Sequence, residues 1–355
     1  MTQSLIQFDP AFFERIWGGH RFASLPGFDA PRNVPLGEAW LISDHPAHES
    51  RVSNGAWRGQ TLHDLVLSSP DYLLGTHAAP TIHGRFPLLL KILDAAEVLS
   101  VQVHPDDEDA IRLGEPDVGK TEMWHVLAAE PDSALICGLD PAVTPEQFQV
   151  AVEDGTIQEF MKSIPAVPGT TAFVSAGTVH AIGAGILLAE IQQNSDITYR
   201  IYDWDRTDAH GRARELHLDK AAQVTRFGLS HPGASRPLGY HLDGAEVSVL
   251  GACKYFVNEL ISLDGAFRRD TGGRSFHIVM PRDGEMEIRA GEERCALQVC
   301  RAVMIPAGAG PYTITGTGKV LNYYVPDLEA DLVRPLRAAG HSSELIGQLG
   351  VIFPG

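Results

Sequence analysis

The sequence predicts a mainly β protein: two antiparallel β-sandwiches or barrels of the jelly-roll type, with a small helical insert. Thirty-five glycines and 23 prolines punctuate the 355 residues and separate short apolar runs, which is typical of a β-rich chain with many turns. Helical periodicity is rare. At roughly 150 residues per domain, the length allows about two domains.

The strand predictions fall in both halves of the chain. Each run is rich in β-branched, aromatic or other apolar residues, which fit a pleated and half-buried surface. The clearest runs are residues 86–92, 99–104, 123–127, 171–174, 186–192 and 198–203 in the first half, and 247–250, 255–260, 276–280 and 286–288 in the second. Each half therefore carries its own set of strands.

The helical insert is predicted near residues 144–164. Thr144 and Thr156 each begin a capping-box pattern, with Gln or Glu three residues further on, and such a pattern marks a helix start. From Ile157 onward, apolar residues recur at i, i+3, i+4 and i+7. We therefore expect two adjoining short helices between strands.

The domain boundary is predicted where glycine and proline become dense and hydrophobic periodicity weakens. The segment FGLSHPGASRPLGYHLDG is rich in glycine and proline, and strand patterns resume after it. We expect an N-terminal catalytic domain over residues 1–228, a linker over 229–243 and a C-terminal jelly roll over 244–355.

The charge balance limits the classes of partner. The chain has 28 basic and 45 acidic residues, a formal net charge of −17, and no run of Lys or Arg. Nucleic acid and anionic membranes are therefore poor partners. A small phosphorylated substrate remains compatible, because one or two buried cations can dominate a pocket.

Cysteine usage and the N-terminus indicate the compartment. The four cysteines form no CxxC pair, which favours reduced thiols over a disulfide framework. The N-terminus lacks a basic start followed by an apolar core, and no run approaches 18 apolar residues. We expect a soluble cytoplasmic protein and infer no protein partner.

Several side chains with metal-ligand chemistry follow the central strands. A predicted strand places Gln102 and His104 on one face, about 6.6 Å apart. Glu122 and His180 come later in the chain, and two imidazoles, one carboxylate and one amide suit Zn, Mn or Fe. Taken alone, a histidine in such a strand is more often a half-buried structural residue than a metal ligand. The acidic residues 106–109 are interpreted as a solvated turn.

Four motifs between Phe86 and Trp204 together resemble type I mannose-6-phosphate isomerases, which are zinc-dependent cupins. These motifs are FPLLLKILDAAEVLSVQVHPDDE, GKTEMWH, AGTVHAIG and EIQQNSDITYRIYDW. The N-terminal fragments IWGG and LGEAWLISDHP are also similar to the family. The short insert resembles the family's shorter bacterial members, so the resemblance implies two cupin jelly rolls.

The resemblance also implies the chemistry. One Zn²⁺ per chain would be held by Gln102, His104, Glu122 and His180. The reaction would interconvert D-mannose 6-phosphate and D-fructose 6-phosphate through an enediol, so the partner would be a small sugar phosphate. The C-terminal half resembles a second cupin without metal ligands, since His277 alone cannot hold a metal.

Further site residues have roles that are expected on the same basis. Arg200 is carried over from the family as an active-site residue, and it would stabilise the enediolate or orient sugar oxygens. Lys120 shares the face of Glu122 and would contact substrate oxygens or tune a proton-transfer group. Ser100 and Lys120 are candidates for binding the phosphate.

Two questions remain open at this level. Glu190, Lys120 or a metal-bound water would each serve as the proton shuttle, with Glu190 ranked first; alternatively, Glu190 is only an ion-pair partner of Arg200. Arg200 itself would alternatively form a structural salt bridge. For function, the alternatives are a non-catalytic sugar-phosphate-binding cupin and a metal-dependent cupin enzyme with another substrate, such as an iron oxygenase.

Overall fold

Three β-sheets form the body of the protein, which confirms the prediction of a mainly β fold. The computed structural model describes residues 2–207, 211–229 and 233–352, so part of the predicted linker lies outside the described residues. All the strand pairs in these sheets are antiparallel.

Two of the sheets belong to the N-terminal half. Sheet I contains, in spatial order, Met161–Pro165, Ala134–Leu139, His180–Ile182, Val101–Val103 and Tyr199–Tyr202. Sheet II contains Thr171–Val174, Glu122–Ala129, Ile186–Gln193, Leu88–Ala95, Ala11–Gly19 and Leu36–Ile42. A small hairpin pairs Asp44–His45 with His48–Glu49.

Sheet III makes up most of the C-terminal half. Its strands, in spatial order, are Ile6–Gln7, Val303–Ile305, His277–Ala290, Pro311–Tyr324, Val257–Asp270, Ala245–Ala252 and Leu238–Leu242, and Glu293–Leu297 pairs with His277–Ala290. The predicted strands 276–280 and 286–288 are therefore one strand. A register shift between Pro281 and Asp283 accommodates the turn-like residues between them as a bulge.

Short helices surround the sheets. The α-helices are Leu62–Ser68, Pro70–Leu74, Asp107–Arg112, Pro145–Glu153, Leu218–Val224, Arg334–Ala338 and Ser343–Gly347. Turns of 3-10 helix cover Arg21–Ser24, Ile157–Phe160 and Ala307–Ala309, and a π-helical turn covers Leu328–Val333. None of the helices in the described part of the chain has the length and apolar character that a membrane span requires.

The elements stack in layers. Side chains such as Leu135 and Ile182 from sheet I pack with Leu93 and Leu188 from sheet II, so these two sheets face each other. Helices, including the insert, cover the outer face of sheet I. The outer face of sheet II packs against sheet III in the largest apolar cluster. Sheet II is thus buried on both faces.

Alternation along the strands of sheet II separates its two faces. In Ile186–Gln193, Ala189 and Ile191 pack toward sheet III, whereas Leu188 packs toward sheet I and Glu190 lines a cleft on that side. This period of two is the strand geometry. It places polar side chains between sheets I and II although the strands themselves are almost entirely apolar.

The second half of the insert differs from the prediction. Pro145–Glu153 is a helix with a capping box at Thr144, as expected. Thr156 makes no side-chain cap, however, and Ile157–Phe160 is a single 3-10 turn. Met161–Pro165 then pairs with Ala134–Leu139 at the edge of sheet I. An isolated segment this short gains little as a helix, whereas pairing satisfies backbone groups at the sheet edge.

The linker prediction also needs correction. Leu238–Leu242 forms a strand that pairs with Ala245–Ala252. Asp243 and Gly244 connect them, both with positive φ of 45° and 80°, as a type I′ hairpin turn requires. At the other end of the chain, Ile6–Gln7 joins sheet III. The division at residues 228 and 244 otherwise stays a prediction.

The rings of Phe86 and Phe276 join the two halves of the chain, with centroids 4.5 Å apart and both side chains fully buried. Replacing either by Ala should lower the free energy of unfolding by about 3–5 kcal/mol. In urea denaturation, the double variant should lose about 0.5–1.5 kcal/mol less than the sum of the single variants. The control pair is Phe86 with Phe267, which packs in a separate cluster and should be additive. Equal coupling in both pairs would contradict the contact.

Candidate active site

The cleft between sheets I and II brings the predicted site residues together. Five of them lie on strands of sheet I or directly beside those strands: Ser100, Gln102, His104, His180 and Arg200. Glu122 and Glu190 lie on strands of sheet II, and Lys120 lies two residues before the strand that begins at Glu122. The cleft has a volume of about 380 Å³, within the range of small-molecule sites.

Three buried side chains form a possible metal site next to the cleft residues Gln102 and Lys120. His104 Nε2 lies 3.5 Å from one carboxylate oxygen of Glu122, and His180 Nε2 lies 3.4 Å from the other. The ligand atoms of all three residues lie within 4.8 Å of one another. Each side chain is at most 1% exposed, so water does not reach these atoms.

The polar atoms of this site fit a cation. Within the described residues, His104 Nε2 and Glu122 Oε1 are buried without a hydrogen-bond partner, which is costly unless a ligand satisfies them. Burial and the nearby charges of Lys120 and His180 hold the pKa of His104 well below its usual value. The imidazole is therefore neutral, as a metal ligand must be.

The other predicted ligand atoms, on His180 and Gln102, lie close to the same place. His180 Nδ1 lies 2.8 Å from the carbonyl oxygen of Thr178; donation there leaves the Nε2 lone pair toward Glu122, the usual outer support of a metal-binding histidine. The Gln102 amide nitrogen lies 3.2 Å from His180 Nε2. A half-turn of the amide places its oxygen there. The four-residue ligand set is thus in one place, and metal binding by it stays a prediction.

Lys120 lies beside the metal site. Its Nζ is 3.3 Å from Glu122, and the side chain is buried. Burial disfavours the charged amine, but the carboxylates of Glu122, Glu190 and Asp196 outweigh it and raise the pKa of Lys120. The ammonium is therefore a positive charge at the site and a poor proton acceptor.

Glu190 has the properties of an acid–base group. Trp124 Nε1 donates a hydrogen bond to it at 3.0 Å, and Lys91 Nζ lies 3.7 Å from its other oxygen. Burial, followed by repulsion from Glu122, raises the pKa of Glu190 to about 7, although Lys91 and Lys120 act in the opposite direction. Glu38 repels it as well. A carboxyl group that titrates near neutrality suits proton transfer.

Lys91 is a cleft residue that the sequence analysis missed. Its Nζ lies 3.7–4.0 Å from Glu38, Glu190 and Asp196 and 4.8 Å from the ring centre of Trp40. A single lysine in the apolar strand LLLKILDA, buried along its whole length, was the available signal. Lysine is almost never buried unless it is paired.

A second group of cations lines the same cleft. Arg200 Nη1 donates to the carbonyl oxygen of Glu215 at 2.8 Å, and its Nε is buried without a partner in the described residues. Arg214 donates to Asp203 at 2.8 Å. Burial and then the charge of Arg214 lower the pKa of Arg200. Two neighbouring guanidinium groups with a free buried donor favour an anion.

The structure bears on two alternatives: that Glu190 is only an ion-pair partner of Arg200, and that Arg200 forms a structural salt bridge. Among residues 2–207, 211–229 and 233–352, the ion pairs of Glu190 involve Lys91 rather than Arg200. No carboxylate in the same ranges lies within ion-pair distance of Arg200, whose guanidinium donates to a backbone carbonyl. Ser100 is buried and lines the cleft, and its role stays a prediction.

The acidic residues 106–109 are not a solvated turn. The side chain of Asp106 accepts the amide of Asp109 and caps the helix Asp107–Arg112. Asp109 is buried and receives hydrogen bonds from Arg112 and Arg226. The interpretation was wrong because the cations that bury these carboxylates come from the helix itself and from a distant part of the chain.

Comparison with known proteins identifies the family of the chain. Residues 5–122 match the family model described as phosphomannose isomerase type I, catalytic domain, and residues 247–325 match mannose-6-phosphate isomerase, cupin domain. Mannose-6-phosphate isomerase ManA of Bacillus subtilis is 36% identical over 317 residues, which cover 89% of this chain and 97% of that protein. The chain belongs to the type I mannose-6-phosphate isomerase family.

Other relatives support the family assignment. The mannose-6-phosphate isomerase of Streptococcus mutans is 36% identical over 293 residues, or 82% of this chain and 89% of that one. The crystal structure of the mannose 6-phosphate isomerase from Bacillus subtilis superposes with a TM-score of 0.82 at 31% identity, covering 90% of this chain and 99% of that one. The predicted family and cupin fold are therefore confirmed.

The C-terminal cupin has a polar network of its own. Glu259 is fully buried and accepts hydrogen bonds from Arg269, Asn322 and Tyr324, and the hydroxyl of Tyr240 lies 3.3 Å from it. In this network an arginine neutralises the buried carboxylate. A purely structural role for this domain stays a prediction.

The buried ligand set should respond to a divalent cation. Zn²⁺ at a hundredfold excess over its Kd should stabilise the folded protein by about 2.7 kcal/mol and raise its melting temperature in scanning fluorimetry. His104→Ala should abolish this shift. The control is His125→Ala on the same strand as Glu122: its side chain contacts Thr171 at 2.9 Å on the opposite face, so the shift should persist. A shift retained in His104→Ala would contradict the site.

Proposed function

We propose that the protein is an aldose–ketose isomerase that interconverts D-mannose 6-phosphate and D-fructose 6-phosphate through an enediol. The observation that carries this proposal is the buried cluster of His104, Glu122 and His180, which contacts the cleft-lining residues Lys120 and Gln102. The relatives of the chain are named mannose-6-phosphate isomerases. The substrate is a small sugar phosphate.

One Zn²⁺ per chain is the proposed cofactor, held by Gln102, His104, Glu122 and His180. Two imidazoles and one carboxylate with an amide are borderline-to-hard ligands and suit this ion. When bound, it would supply Lewis acidity toward a substrate oxygen. The buried atoms Glu122 Oε1 and His104 Nε2, which have no hydrogen-bond partner in the described residues, support the assignment.

Glu190 is the proposed proton shuttle. In the open-chain sugar, the carboxylate removes the proton from C2 and returns it to C1, while the hydroxyl proton moves from O2 to O1. A pKa of about 7 lets one group accept and donate the same proton. Lys120 stays cationic and stabilises the negative charge that develops on the enediolate oxygens.

Arg200 and Ser100 are proposed to bind the substrate. The buried and unpartnered Nε of Arg200 and the neighbouring guanidinium of Arg214 suit the phosphate better than Lys120 does, because Lys120 is engaged by Glu122. This arrangement moves the expected phosphate contact from Lys120 to the guanidinium group. The cytoplasmic location and the lack of a protein partner stay predictions.

A coupled assay tests the function. Purified protein should convert mannose 6-phosphate to fructose 6-phosphate; a chelator should abolish turnover, and added Zn²⁺ should restore it. A folded and zinc-loaded sample without turnover would contradict the proposal. Activity on another sugar phosphate would indicate a different substrate, binding without turnover would indicate a sugar-phosphate-binding cupin, and oxygen consumption with bound iron would indicate an oxygenase.

The pH profile tests Glu190. Because the base must be ionised, kcat/KM should rise as pH increases through the pKa of Glu190. This pKa is about 7. A cation bound to Glu122 would cancel one repelling charge and shift this rising limb of the pH profile to lower pH. Glu190→Gln should lose the limb and lower kcat by about 10²–10⁴-fold, whereas Glu190→Asp should retain the limb. Parent turnover in a zinc-loaded Glu190→Gln variant would exclude the role.

A further inference from the structure

The backbone just before the metal ligand Glu122 is held by hydrogen bonds to a helix residue, a loop carbonyl and the last residue of a strand in sheet II. Gly119 N–H donates to Asp107 at 2.9 Å, Lys120 N–H donates to the carbonyl of Pro105 at 2.9 Å, and Thr121 N–H donates to Gln193 at 3.0 Å. We call residues 119–121 the approach segment. Since it is not part of a strand, these bonds set its path.

Asp107 connects the ends of the approach segment. Its Oδ1 accepts the amide of Gly119 and also the side-chain amide of Gln193 at 2.9 Å. Gln193 in turn accepts the amide of Thr121. One carboxylate therefore fixes the segment at Gly119 directly and at Thr121 through Gln193. Bonds to an ionised acceptor are stronger than neutral ones.

The approach segment has no room to shift toward this carboxylate. A Cβ built on Gly119 would lie 2.5 Å from the backbone carbonyl carbon of Asp106 and 2.5 Å from the backbone nitrogen of Asp107. Only glycine permits so close a backbone contact. The segment is therefore clamped against the start of the helix Asp107–Arg112.

The C-terminal half supplies the last contact of this network. The hydroxyl of Tyr255, two residues before the strand Val257–Asp270, donates to Asp107 Oδ2 at 2.6 Å. Burial, then the hydrogen bond to Asp107, raises the pKa of Tyr255, so the phenol keeps its proton. A single hydroxyl thus ties the second cupin to the segment that carries Lys120 and precedes Glu122.

We propose that Tyr255 and Asp107 are positioning residues for the reaction: through the approach segment they set the place of the Lys120 ammonium and the Glu122 carboxylate. The second cupin then has a part in the chemistry although it contributes no side chain to the described lining of the cleft. This inference rests on the proposed function of Lys120 and Glu122.

Tyr255→Phe tests the proposal, because it removes one hydroxyl and keeps the ring. We expect kcat to fall by about 10–100-fold, the usual range for outer-shell partners of a metal site, with KM changed much less. Zn²⁺ affinity, measured by chelator competition without substrate, should weaken by about tenfold or more. Asp107→Asn should act in the same direction and provides a second, independent variant.

Tyr240→Phe is the matched control. It removes the same kind of hydroxyl from the C-terminal half, on a strand of sheet III where the phenol lies 3.3 Å from the buried Glu259, and it should leave kcat and Zn²⁺ affinity unchanged. Parent values of both quantities in Tyr255→Phe and Asp107→Asn would overturn the proposal. Equal losses in Tyr240→Phe would overturn it too, since they would indicate general destabilisation. An inactive parent enzyme would instead contradict the proposed function, while the Zn²⁺ measurement would still test the positioning.

Discussion

The structure depends most on one buried charge, the carboxylate of Glu122. It is 1% exposed and lies between two sheets whose facing side chains are mostly apolar. Moving a carboxylate out of water costs several kcal/mol unless it is neutralised. Lys120 reaches one oxygen, while His104 is neutral and cannot supply charge. At the possible metal site of His104, Glu122 and His180, a bound cation would add further neutralising charge.

The layers around this charge hold the candidate ligand residues in place. Sheet II is packed by sheet I on one face and by sheet III on the other, and helices cover the far side of sheet I. A strand packed on both faces has little freedom to adjust, so the side chains of Glu122 and Glu190 start from fixed positions. Rigid support of this kind is what a preorganised site needs.

The sequence was sufficient for the parts of the fold and site that depend on local pattern. Strand alternation placed Gln102 and His104 on one face, and family motifs added Glu122 and His180. Lys91 was missed because its partners come from separate segments of the chain, and no local pattern shows that they meet. The strand before Asp243–Gly244 was missed for another reason, since the hairpin signal was present but was included in the glycine-rich linker.

The distribution of charge in the cleft explains how an acidic protein can bind an anion. The net charge of −17 repels a phosphate at long range, but salt screens that field beyond about 10 Å. Locally, Lys91 lies within 4.0 Å of three carboxylates, whereas Arg214 pairs with Asp203 and Arg200 donates to a backbone carbonyl. One group of charges is suited to moving protons and the other to holding a phosphate. A sugar phosphate whose phosphate contacted Arg200 and Arg214 would place its sugar in the part of the cleft that Lys91, Lys120 and Glu190 line.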